Sequence, residues 1–250
     1  MDKRAFLGKV QSLLTMYKLG QFGGQILPED VLVGLVPVVE LPEVLTFGMS
    51  LDYKRPVYPL WQSIAQAYSV ADDRWIFNPS MVQNYNFEEL QDVLTLYKIA
   101  IQPNRHTQIW QRIAKAIVQS SNQKNVQGLL EASLYDVAIL KSIVQKERKS
   151  EFPYLSGPKI FNYWLYVLEK YAGVSWKNRS MISIAPDTHI LKATVKLGLC
   201  SQDVLRGTAK DREFVADCWA EVLTGTGIDP IDVHTPLWLW SRSGFPPIEL

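Results

Sequence analysis

Residues 154–173 read YLSGPKIFNYWLYVLEKYAG, and residues 174–198 continue VSWKNRSMISIAPDTHILKATVKLG. Ser156-Gly157-Pro158 is a tight turn. Pro158 suits the first position of a helix, which needs no N–H and favours proline's fixed φ. The helix it opens, Pro158 to Ala172, is apolar on several sides through Ile160, Phe161, Trp164, Leu165, Val167 and Leu168. Such a helix is expected near the centre of a fold. Ala185-Pro186-Asp187 then breaks the chain, and Asp187 opens a second helix that ends at Gly198. The turn delivers Lys159 to one helix start, and the break delivers Asp187 to the next.

Working outward, apolar residues recur at helical spacing almost everywhere. Phe6, Leu7, Val10, Leu13, Leu14 and Tyr17 mark a helix over 4–19, ended by Gly20 and Gly23-Gly24. Residues 25–56 are punctuated by Pro28, Pro37, Pro42 and Pro56, with room for short helices over 28–35 and 42–50. Further helices are expected over 57–68, 87–100, 105–119, 126–132, 133–146, 211–223 and 232–241. Asn86 is an N-cap with Glu89 at N3. Nothing alternates as a strand does, and no repeat is visible. The expected fold is all-α with roughly ten helices. They are expected to form two helical lobes with a cleft between them, 72–183 and 1–71 plus 184–250.

Composition narrows the function classes. Of 250 residues 47% are hydrophobic and 20% charged, as in a globular protein. No apolar run approaches the ~18 residues of a membrane span, and MDKRAFLGKVQSLL lacks a signal peptide's long apolar region. Two cysteines, Cys200 and Cys218, outside any CxxC, argue against a disulfide framework or a metal cluster and suit a reducing cytosol. A cytoplasmic protein without metal or cofactor is expected, nucleoid-associated if prokaryotic. The net charge is only +1, yet residues 141–196 hold ten basic residues against four acidic ones. The rest of the chain holds 16 against 21. A basic middle fits a polyanion, and equally a solvated face.

Lysine and aspartate can do chemistry together. An unprotonated amine attacks an electrophilic carbon to form a Schiff base. A helix N-terminus and an apolar setting around Lys159 would both favour the neutral amine. A carboxylate can orient the amine, move a proton and stabilise an oxocarbenium-like sugar cation. From the residues alone, a first-turn lysine is usually just exposed, and Asp187 after Pro186 is more readily an N-cap than a catalyst.

LSGPKIFNYWLYVL … ISIAPDTHILKATVKLG resembles the helix–hairpin–helix DNA glycosylase superfamily, in which a hairpin precedes a Gly/Pro-rich loop and a catalytic aspartate. A lysine just after the hairpin glycine marks its bifunctional members, and the lysine–aspartate spacing is similar to the archaeal 8-oxoguanine glycosylase/lyase branch. HTPLWLW near the C-terminus is similar to that branch too, and LTFGMSLDYKRPVYPLW matches loosely. The resemblance implies a DNA base-excision glycosylase with AP-lyase activity that acts on double-stranded DNA carrying a damaged base, 8-oxoguanine foremost. It implies a monomer, with no membrane, metal or cofactor. Lys159 and Asp187 would be catalytic, with His234, Trp238, Trp61 and Met49 at the base pocket. Gly157, Ser156, His189 and Lys192 would contact DNA, with backbone N–H groups of the 155–159 turn and the following helix start on a phosphate. Three departures stand out: one hairpin glycine rather than two, His234 where the branch has an acid, and no pocket glutamine near Met49.

Several of these residues have plainer readings. His189 can be an idle helix residue, His234 a satisfied cap or core histidine, and Lys192 and Lys196 solvated. Trp61, Trp110, Trp164 and Trp219 at helical spacing suit a core, with Trp61 the one to stack on a base. His106 reads as surface. Rival functions are a non-catalytic nucleic-acid-binding module on the same fold and an all-α protein-interaction domain.

Overall fold

A computed structural model describes residues 2–22 and 27–248; Gly23-Gly24 lies outside them. Every regular element among the described residues is helical, so the fold is all-α. In chain order the α-helices are α1 (Lys3–Lys18), α2 (Leu41–Met49), α3 (Val57–Ser69), α4 (Pro79–Val82), α5 (Phe87–Leu96) and α6 (Pro103–Ser120). They continue with α7 (Val126–Ala132), α8 (Val137–Ser142), α9 (Pro158–Ala172), α10 (Thr188–Leu197), α11 (Ala209–Leu223) and α12 (His234–Arg242). Short 3-10 turns join several of them, and α8 runs on into a π turn, Ile143–Glu147.

The chain divides into two compact units: residues 27–179, and 1–26 with 180–250. The boundary near 180 lies close to the expected one. The other does not: residues 27–71, expected with the chain ends, belong to the middle unit. The reason is tertiary. The 3-10 turn Pro28–Leu32 docks on α3 and, through side chains, on α9. The Tyr163 hydroxyl donates to Glu29 at 3.2 Å, and the Tyr171 hydroxyl to Asp30 at 2.7 Å.

In the middle unit, α9 occupies the residues its proline and glycine mark out, with Pro158 at N1 and Gly173 left-handed at φ 70°. Phe161, Trp164, Leu165 and Leu168 are fully buried. Trp164 donates its indole N–H to Thr46 of α2 at 2.9 Å, so a buried polar hydrogen is satisfied while two helices are joined. Phe47 stacks on Trp110 with centroids 4.7 Å apart, tying α2 to α6.

The terminal unit has its own core. Phe6, Val10 and Leu13 of α1 join Ile190 and Leu191 of α10, Trp219 of α11 and Leu237 of α12. Trp219 donates to Thr194 at 2.9 Å and meets Phe6 with centroids 5.7 Å apart. Cys200 and Cys218 are free thiols in this unit, and burial, then Cys218, pushes the Cys200 thiol up to about 12.

Candidate functional site

The lysine lies in the middle unit. Tyr154 takes a left-handed conformation, φ 61°, and turns the chain toward α9. The Leu155 N–H donates to the Pro153 carbonyl (2.7 Å), Ser156 to Phe152 (2.9 Å) and Gly157 to Tyr154 (2.9 Å). Pro158 has no N–H. The turn's own donors at 155–157 are therefore spent and cannot hold a phosphate as expected. Gly157 sits at φ −68°, which any residue adopts, and an added Cβ would lie 3.1 Å from the Tyr154 carbonyl oxygen. What remains for an anion is the first turn of α9, which has no side-chain cap. Ser156 is buried, and Lys159, the second residue of α9, is exposed. The apolar shielding expected around its amine is absent.

The aspartate lies in the terminal unit, in a tighter setting. Pro186 is buried, and Asp187 is half-buried and extended (φ −106°, ψ −171°). Its Oδ1 accepts from the N–H groups of His189 (2.8 Å) and Ile190 (2.9 Å), so it caps α10. Its Oδ2 accepts from the Trp238 indole N–H at 3.2 Å. Three of the roughly four lone-pair positions of a carboxylate are thus engaged, which locks the side chain in one orientation. Arg212 reinforces the approach from outside the motif. It donates to the Pro186 carbonyl, and from Nε to the Gly207 carbonyl at 3.1 Å.

Around this carboxylate α10 and α12 bring three of the expected residues together. His189 Nδ1 lies 3.1 Å from the Ser241 hydroxyl, and its ring meets Trp238 edge-on, centroids 5.9 Å apart. The Arg242 guanidinium lies 4.6 Å from the Trp238 ring centroid. Trp238 is half-buried and already engaged at its N–H, which limits how far it can turn to stack on a base. His234, one turn earlier on α12, is only 6% exposed. Lys192 is exposed on α10.

Two base-pocket expectations fail. Trp61 and Met49 are both fully buried in the middle unit. The Trp61 ring fills the space beside Gly48, where an added Cβ would sit 2.6 Å from two ring carbons. It is a core residue packed on helix backbone, with no room to receive a base. His106, read as surface, is 3% exposed, and burial, then Arg55, holds its imidazole below the usual range.

One titratable group was missed. Glu29 is fully buried, and its Oε1 has no hydrogen-bond partner among the described residues. Burial, with the charges of Asp52 and Asp30, pushes its pKa from 4.5 to about 8, against the lowering effects of its backbone and Tyr163 hydrogen bonds. Between those values the folded protein holds a proton that the unfolded chain has released. Stability therefore falls as pH rises from about 4.5 to about 8 and levels off above. The whole decline is on the order of a few kcal/mol. Glu29→Gln keeps the shape and cannot ionise. In paired thermal melts its stability should match the native protein near pH 5 and exceed it increasingly towards pH 8.

Among the described residues no group of three or more His, Cys, Asp or Glu side chains could hold a metal. No helix among them is long and apolar enough to cross a membrane. No protein-family model, curated protein or solved structure matches this chain.

Proposed function

We propose that the chain is a DNA base-excision glycosylase with AP-lyase activity, acting on an oxidised purine with 8-oxoguanine as first candidate. The observation that carries the proposal is the Asp187 carboxylate, immobilised at a helix start by two backbone N–H groups and an indole, yet half-exposed. A fixed negative charge of this kind is suited to stabilising a sugar cation, because it needs no reorganisation as the charge develops. The resemblance around Lys159 and Asp187 supplies the substrate class.

In this reading the target nucleotide leaves the duplex stack, where its reacting carbon is out of reach. The Lys159 amine attacks C1′. The Nζ–C1′ bond forms as the glycosidic bond breaks, and the departing base takes up the proton that Nζ sheds. Asp187 stabilises the oxocarbenium-like charge on the sugar. Opening of the ring at O4′ gives an iminium ion. Loss of a C2′ proton then expels the 3′ phosphate by β-elimination, and water releases the lysine. A duplex with a single 8-oxoguanine should therefore be nicked without alkali. Release of the base with scission only after alkali would remove the lyase step, and no release from any oxidised purine would remove the glycosylase reading.

The exposure of Lys159 favours a second reading, a nucleic-acid-binding module without chemistry. Tight, salt-sensitive binding of duplex DNA with no turnover of 8-oxoguanine or abasic sites would select it.

A further inference from the structure

Two adjoining clefts of about 350 and 580 Å³ cross the surface of the middle unit, and Arg112 of α6 lines both. The first also holds Lys115, and the second Lys146 and Lys149. The four cations are exposed. Among the described residues none of them forms a salt bridge. The one carboxylate in the lining, Glu147, accepts from the Ser142 hydroxyl at 2.8 Å. Four cations against one lining carboxylate leave a net positive field, and an anion laid along them relieves their mutual repulsion.

The walls are built rather than incidental. Arg148, between the two outward lysines, turns inward. It binds Glu151, the Ser120 hydroxyl, the Ala116 carbonyl at 3.2 Å and Gln119 at 3.0 Å. That fastens the segment carrying Lys146 and Lys149 to α6. The π turn Ile143–Glu147, closed by the Arg148 N–H on the Ile143 carbonyl at 2.9 Å, ends α8 at this wall. Single π turns recur at functional sites. Ser156, three residues before Lys159, also lines the second cleft.

We infer that Arg112, Lys115, Lys146 and Lys149 form a track for the phosphate backbone of a DNA strand that leads to the turn before Lys159. Naming the strand as DNA rests on the proposed function; the need for a polyanion rests on the cleft alone. Contacts of this kind position a strand and carry no sequence preference. A duplex binds through phosphates with an affinity that falls with salt, and each lost contact lowers the log–log slope by about 0.9.

The test is fluorescence anisotropy of an undamaged duplex against salt, with the native protein and the double variant R112Q/K149Q. All four side chains are exposed, so an unchanged thermal melt is the expected control. The double variant should lose about two from the slope. An unchanged slope, or no binding of duplex by the native protein, overturns the track whatever the excision assay gives. Equal competition by polyglutamate at matched charge overturns the assignment to DNA. A lowered slope in a protein that excises nothing keeps the track and removes the glycosylase.

Discussion

Asp187→Asn should lower base release by about two to four orders of magnitude while the protein still folds. The amide retains the oxygen that caps α10, and Asn caps a helix about as well as Asp. The second carboxylate oxygen is where the two differ. An amide NH₂ placed there meets the Trp238 indole N–H, two donors face to face, in place of the present 3.2 Å hydrogen bond. That mismatch is expected to cost about 1–3 kcal/mol. Trp238→Phe removes one donor, so Asn in that background should recover most of the lost stability and none of the lost activity. A carboxylate that serves only as a cap gives another pattern: Asp187→Ala loses about 0.5–2 kcal/mol, Asp187→Asn carries the same Trp238 mismatch, and excision follows stability in every variant, so that it returns when Trp238→Phe restores stability. Thermal melts beside single-turnover base release, on the four combinations at these two positions, separate the outcomes.

Lys159→Gln should abolish the covalent step outright and leave the melting temperature unchanged or slightly higher. Lys159 is exposed, and its side chain takes part in no hydrogen bond or salt bridge among the described residues. Its charge sits at the positive end of α9, where a cation is unfavourable by about 0.3–1 kcal/mol. Removing it therefore relieves a small cost. Lys159→Arg keeps that charge and any attraction for phosphate, yet guanidinium cannot form the Schiff base. If lysine acts only by binding, Arg substitutes for it. If it is the nucleophile, Arg is as inactive as Gln while DNA affinity is retained. Activity in either variant near the native level would remove Lys159 from the mechanism.

How much of this was legible in the sequence depended on whether the signal was local. Helix α9 runs from Pro158 to Ala172 as expected, because proline at N1 and a left-handed glycine after the end act within one turn of chain. Asp187 at the start of α10 was legible for the same reason, as were Asn86 on the Glu89 N–H and Gly198 at the end of α10. Helix α5 is the partial exception. It stops at Leu96 rather than running to 100, and Lys98 there turns left-handed at φ 58°.

Burial was less legible, because helical spacing shows which face is apolar and not what covers it. Trp61 and Trp238 are both tryptophans on amphipathic helices, yet one is sealed beside Gly48 and the other holds a carboxylate. Glu29 left no local trace at all. It is sealed by tertiary packing, with the Tyr163 hydroxyl, 134 residues away, donating to it, and residues 27–71 belong to the middle unit with it. The spent N–H groups of the 155–157 turn could not be foreseen either. Whether a turn's donors bond within the turn or stay open depends on the backbone angles at Tyr154, and a tyrosine seldom adopts a positive φ.

The central claim is that Lys159 forms a Schiff base with a DNA sugar. The most direct test is borohydride trapping on a duplex carrying one 8-oxoguanine, with native protein and Lys159→Gln side by side and an abasic duplex in parallel. The expected result is a covalent protein–DNA adduct with the native protein on both duplexes and none with Lys159→Gln. No adduct on either duplex from a protein that still binds them, or an adduct that survives Lys159→Gln, would contradict it.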